Sequence, residues 1–224
     1  MDLEKSLTFA ETYAREYVRY LLEFFGRAPD AVNPKDARTP EGKVVLFAML
    51  SAALGAFLGQ KFISGGAIAQ GDLMIRVLLE FLYWLSLSIL LELSLFVLRA
   101  APDFMDSILT TLKVLPVAYA MSGFAAFLAY NLALAFMADP VAEPEGPHNA
   151  ARAAAAFAEL AVCAVYLPTS LRRLHKTGWL RAILASLMVL LVISMVHFTA
   201  YWTTVKAPAS PTHAITAPAG APRT

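Results

Sequence analysis

The amino-acid sequence predicts an all-α polytopic membrane protein, with five transmembrane helices behind an N-terminal amphipathic interfacial helix. Three observations carry that prediction. Five apolar stretches, Val44–Ile63, Leu73–Leu98, Ile108–Met137, Ala153–Leu171 and Trp179–Val205, dominate the chain. Each is close to or beyond the ~20 residues that cross a hydrocarbon core of about 30 Å. Composition agrees: 58% of the 224 residues are apolar and 16% are charged, against roughly 45–50% and about 25% in soluble domains. Basic residues also partition unevenly. If every stretch crosses, 13 of the 18 Lys and Arg fall in or beside the N-terminal segment, the second loop and the fourth loop. Basic residues favour the cytoplasmic side, so the N-terminus is expected inside and the C-terminus outside.

The chain divides into a cytoplasmic helix and loop at 1–42, a five-span domain at 43–205 and a Pro/Ala-rich outer tail at 206–224. The N-terminus opens Met1-Asp-Leu-Glu-Lys5 with no short apolar region and cleavage site behind it, so insertion is expected to rest on the internal spans. In residues 3–26, Leu3, Leu7, Ala10, Ala14, Tyr17, Leu21 and Phe24 recur at steps of three and four, one apolar face of a helix. Glu11 and Arg15 form a four-residue pair in the favourable order. Two placements fit this helix: on the cytoplasmic membrane surface, or packed on the protein's own cytoplasmic face. Residues 26–42 hold three prolines and two glycines, which is loop chemistry.

The first span carries Ser51, Gly55 and Gly59 at four-residue spacing. Small residues on one face let helix backbones approach closely, within this chain or against a partner subunit. The span ends at Ser64-Gly65-Gly66. The third loop, from Asp139 to His148, is acidic and proline-rich, and the fourth, Arg172-Arg173-Leu-His175-Lys176, is short and basic. Trp179, Tyr201 and Trp202 suit aromatic belts at the two interfaces. The tail beyond Lys206 has too little apolar content to fold and is expected to be disordered. The fourth stretch is conditional, because Glu159 interrupts it; a re-entrant fourth segment would move the tail to the cytoplasm.

Ionisable residues within spans are costly and mark functional candidates. Glu92 in the second span and Lys113 in the third lie at similar depth near the cytoplasmic ends. They are expected to form an intramembrane ion pair, unless Lys113 snorkels to the headgroups. Glu80, Asn131, Glu159 and His197 lie on four spans, each within a few turns of the outer surface. If they converge they make a polar cluster able to relay protons, bind a cation or lock the bundle.

Several function classes lose their support. Net charge is +1, so no electrostatic case for nucleic acid arises. Cys163 is the sole cysteine, which gives no disulfide framework or cysteine metal cluster, and one His with two carboxylates is a thin basis for any metal. No P-loop, dinucleotide-binding glycine pattern, nucleophile elbow or His-Glu-x-x-His is present. No enzyme, cofactor or metal site is therefore expected.

Three local patterns resemble the Yip-domain family of five-span membrane proteins in its bacterial form: Phe24-Phe25-Gly-Arg-Ala-Pro29, Leu112-Lys-Val-Leu-Pro116, and the basic turn from Tyr166 to Ala182. The resemblance covers about residues 20–205. It implies five spans with a cytoplasmic N-terminus and an outer C-terminus, and for eukaryotic members a trafficking role with small GTPases. The alanine-rich fourth span, the long tail and the N-terminal amphipathic helix depart from that pattern.

The expected function is a membrane scaffold or accessory subunit, working through helix–helix contacts at Ser51/Gly55/Gly59 and through the N-terminal helix. Its partners are then the lipid bilayer and a membrane-protein partner or second copy. The short basic loops point to a bacterial inner membrane. One alternative is a small proton- or cation-coupled transporter using Glu80, Glu159 and His197. A second is an accessory subunit of a respiratory or photosynthetic complex. A water-accessible cavity reaching the carboxylates separates the transporter from the scaffold.

Overall fold

The computed structural model describes residues 3–26, 41–63, 70–100, 103–136 and 145–206, and these are helical apart from short turns. The helices are α1 (Leu3–Gly26), α2 (Glu41–Phe62), α3 (Gln70–Val97), α4 (Phe104–Phe136), α5 (Gly146–Leu174) and α6 (Trp179–Lys206). Residues 27–40, 64–69 with the expected Ser64-Gly65-Gly66 turn, 101–102, 137–144 of the third loop, and the tail from 207 lie outside the described residues. The side chains of Tyr201 and Trp202 do so as well.

The helices α2 to α6 are each long and apolar enough to cross a membrane, the make-up of a multi-pass membrane protein. The fourth stretch resolves as one unbroken helix, beginning at Gly146 rather than Ala153. Glu159 does not break it. The centre of the bundle is α4, the most buried of the five long apolar helices, while α3 is the least buried. It packs against α2, α3 and α5, while α6 lies against α3 and α5. Large apolar side chains such as Met74, Leu78, Leu93, Phe157 and Leu180 stay exposed, as lipid-facing surfaces require.

Local chemistry fixes the ends. Asp103 caps α4, its Oδ1 accepting from the Met105 and Asp106 amides at 3.0 and 3.3 Å. The α3 end closes with Ala100 N–H on the Leu95 carbonyl and Arg99 N–H on Phe96, both at 3.0 Å. Arg99 takes the left-handed position (φ 53°) that glycine usually fills there. Its carbonyl accepts from Arg181 Nη1 at 3.3 Å, tying α6 to this turn. Pro116 and Pro168 sit inside α4 and α5. Serine and threonine hydroxyls around Pro168 return to carbonyls of Val165 and Tyr166, one way buried helices tolerate proline. Ser88 and Thr111 join α3 to α4 through a hydroxyl–hydroxyl bond.

The placement of α1 is settled for its C-terminal half. Tyr17 and Phe24 are buried. The Tyr17 hydroxyl bonds Ser51 Oγ at 2.7 Å, and the Tyr20 hydroxyl donates to the Lys113 carbonyl at 3.4 Å. Phe24 stacks on Tyr166 with ring centroids 4.6 Å apart, and Tyr20 lies 4.8 Å from the Phe47 ring. The helix thus touches α2, α4 and α5 and packs on the protein itself. Burial raises the phenol pKa values of both Tyr17 and Tyr20. Val18, Leu22 and Phe25 remain exposed on a neighbouring strip, an apolar edge that suits an interfacial helix. The Arg15–Glu11 pair forms at 2.8 Å on the exposed side, where such pairs add little. Phe24→Ala should cost about 3 kcal/mol or more of docking, the usual loss for a fully buried ring. Limited proteolysis checks this: cleavage within α1 should accelerate while the span fragments persist.

Candidate functional site

The end of the bundle formed by the C-terminal ends of α2, α4 and α6 and the N-terminal ends of α3 and α5 carries two adjoining cavities. The larger, about 520 Å³, is lined by residues of α2 to α6, among them Gly59, Arg76, Tyr119, Arg152, Glu159 and His197. The smaller, about 230 Å³, is lined by Glu80, Tyr83, Tyr119, Glu159 and His197 with Leu79, Ile193 and Val196. Tyr119, Glu159 and His197 line both, so they form the wall between them.

Small residues make the larger space. On α2, Gly59 presents no side chain, and a Cβ built there meets only Ile63 Cδ1 at 3.8 Å. On α5, Ala153 and Ala156 line the cavity between Arg152 and Glu159. Arg152, Ala156 and Glu159 are spaced i, i+4 and i+7, one face of the helix. The alanine-rich run of the fourth span is therefore the side of a chamber.

At the inner end of that face His197 Nε2 meets Glu159 Oε2 at 2.9 Å. Glu159 is buried, and His197 is about one-third exposed. Burial of a carboxylate without a partner is costly, and His197 supplies that partner from α6. Glu80 comes from α3, with Arg76 one turn away on its own helix and the Tyr119 hydroxyl reaching it from α4. It interacts electrostatically with both Glu159 and His197. The Tyr83 hydroxyl is buried in the wall of the smaller cavity with no hydrogen-bond partner among the described residues; a bound water or a polar ligand group would satisfy it. Cys163, one turn beyond Glu159, is fully buried and free.

Three members of the expected cluster, Glu80, Glu159 and His197, thus converge. Asn131 does not. Its Nδ2 donates to the Phe127 carbonyl of its own helix at 2.7 Å, on an exposed face. Glu92 Oε2 accepts from Ser107 Oγ of α4 at 2.5 Å. Lys113 is buried rather than snorkelling. The small-residue face turns inward: Ser51 bonds Tyr17, Gly55 lies against Tyr119, and Gly59 lines the chamber.

Several contributors carried little sequence signal. Tyr83 and Tyr119 are ordinary residues of apolar spans, and Arg76 and Arg152 stand near span ends, where basic residues are common. Gly123 on α4 faces Gly55, with Gly55 Cα 3.2 Å from its built Cβ. His148, expected at the end of the third loop, lies in the first turn of α5, where Nδ1 contacts the Phe62 carbonyl at 2.8 Å and covers the end of α2. Among the described residues no three His, Cys, Asp or Glu side chains are arranged to hold a metal ion.

No family model matches the chain. No curated protein and no solved structure matches it either. The Yip-domain resemblance therefore gains no support from comparison, and the functional argument rests on the cavities and their residues.

Proposed function

We propose that the protein is a small proton-linked carrier of the membrane, with its ligand in the larger cavity and Glu159–His197 as the group that gains and loses a proton. The observation that carries this reading is the cavity itself: it reaches a buried carboxylate–imidazole pair from the end of the bundle. A carboxylate and an imidazole in contact can pass a proton between them and to a neighbour. Glu80 and the Tyr83 hydroxyl, on the far side of the same pair, and the Tyr119 hydroxyl, beside it in the wall, offer further positions for a relayed proton. No step in this reading makes or breaks a covalent bond in the ligand.

The scaffold reading is weaker on this geometry. Its main surface, Ser51/Gly55/Gly59, is used within the chain by Tyr17, Tyr119 and the chamber. The basic asymmetry supports an orientation in which the turns at Arg99 and at Arg172–Lys176 face the cytoplasm and the cavity faces outward.

Proteoliposomes loaded with a pH-sensitive dye test the proposal. Orientation is read in the same vesicles by impermeant-thiol labelling of Ser210→Cys, with Cys163 buried and silent. Across a panel of small solutes and amphiphilic anions, the wild type should change lumenal pH with at least one class, and folded Glu159→Gln should not. Equal responses from the two proteins, or none from the wild type with any class, would defeat the reading.

A further inference from the structure

We propose that the larger cavity takes an amphipathic anion. Its charged head lies between Arg152 and Arg76 at the rim, and its apolar body lies along the alanine face of α5 toward Glu159–His197. This assignment rests on the cavity being the ligand site, and it adds the chemistry of the ligand.

The head position follows from Arg152. Its Nη1 donates to Asn149 Oδ1 at 2.9 Å, which fixes the guanidinium. Its carboxylate neighbour, Glu145, is exposed and 3.6 Å away, too long for a hydrogen bond. A guanidinium has five N–H donors in a fork that matches carboxylate or phosphate oxygens. Arg76, on α3, lines the same cavity, with Glu80 as its intrahelical neighbour. Both arginines stand within the first two turns of their helices, toward the same end of the bundle.

The body position follows from what the helices leave out. Glu159 lies seven residues beyond Arg152, about 10 Å deeper at 1.5 Å per residue. Along it the α5 wall is Ala153, Ala155, Ala156 and Leu160, and Ile63 and Phe198 line the cavity from other elements. Gln60, Ser122 and Ser194 also line the cavity, but its surface is mainly apolar, which suits an alkyl chain. The volume, about 520 Å³, lies within the 300–1,000 Å³ typical of ligand pockets.

Binding is measured on the full-length protein in neutral dodecyl maltoside by titrating dodecyl phosphate, with native mass spectrometry and thermal shift as readouts. Dodecyl maltoside supplies the same tail with a neutral head, and inorganic phosphate the head without a tail. We expect saturable binding of dodecyl phosphate over the maltoside background, and none of inorganic phosphate at equal concentration. Arg152→Gln should weaken binding by about tenfold. Gly59→Leu and Ala156→Leu, which fill the apolar section from opposite walls, should abolish it while melting near the wild type. Phosphatidylglycerol as competitor separates the sources: displacement assigns the site to a bilayer lipid, and no displacement assigns it to a single-chain amphiphile. Binding of inorganic phosphate as tight as that of dodecyl phosphate overturns the proposal, as does binding unchanged in Arg152→Gln or in both filling variants. If dodecyl phosphate fails to bind while the Glu159-dependent pH response persists, the amphiphile assignment falls and the carrier reading stands.

Discussion

Gly55→Ala is expected to open the bundle, while Gly59→Ala, one turn away on the same helix, leaves it intact. A Cβ at position 55 would lie 2.5 Å from Tyr119 Cδ1 and 2.8 Å from the Tyr119 carbonyl oxygen. The ring can swing, but the carbonyl belongs to the backbone of α4, so α2 and α4 must separate. Gly123 faces Gly55 in the same crossing, its built Cβ 3.0 Å from Leu58 Cβ. This is a close backbone approach that only small residues permit. Overpacking a tight contact costs about 1–3 kcal/mol, and a backbone clash belongs at the upper end. At position 59 the nearest atom is a flexible Ile63 methyl at 3.8 Å, and alanine gains up to about 1 kcal/mol of helix propensity. Melting temperature and monodispersity in mild detergent measure both. If Gly55→Ala melts with the wild type, the helices are further apart than 2.8 Å allows. The expectation from sequence, that both glycines serve assembly, is thereby divided: one serves the fold and the other leaves space for the chamber.

What was legible in the sequence was position along the membrane normal, because depth follows from chain topology and the helical rise. That is why Glu80, Glu159 and His197 could be placed at one level, and they do meet. Rotation about each helix axis was not legible, because long apolar spans carry no strong amphipathic signal to say which face turns inward. Asn131 is the clear case. It lies nine residues beyond Ser122, about 180° around the helix at 100° per residue, so a face that turns Ser122 to the cavity turns Asn131 away. Ser107 is a different case: its hydroxyl donates to Glu92, and a lone serine in an apolar span gave no sign of that role. The amphipathic pattern of α1 named its buried face correctly through Tyr17 and Phe24. It could not name what that face covers, since both a membrane surface and a protein groove select the same stripe. The chamber was illegible for a third reason: alanines and glycines read as good packing, and only the tertiary arrangement shows where they leave room.

The Glu159–His197 contact should behave as a coupled pair in a double-mutant cycle, with an asymmetry that separates proton exchange from a structural lock. His197→Ala removes the partner of a buried carboxylate; breaking a buried pair from one side costs about 3–5 kcal/mol, because the remaining charge is orphaned. Glu159→Gln keeps the shape and an acceptor for Nε2–H and removes only the charge. Its cost should therefore be near 1 kcal/mol, the net worth of one hydrogen bond. In the Glu159→Gln background no charge is left to orphan, so His197→Ala should cost about 2 kcal/mol less than in the wild type. Coupling of that size is well outside the ~0.5 kcal/mol within which independent sites add. Reversible unfolding in mixed micelles, run on the four proteins, gives the cycle. Additive costs would remove His197 as the support of Glu159. If Glu159→Gln instead destabilises as much as His197→Ala, the ionised pair is holding α5 to α6. A stable Glu159→Gln protein that has lost its proton response is the result that only an exchanging site produces, because a lock has no use for a charge the fold can do without.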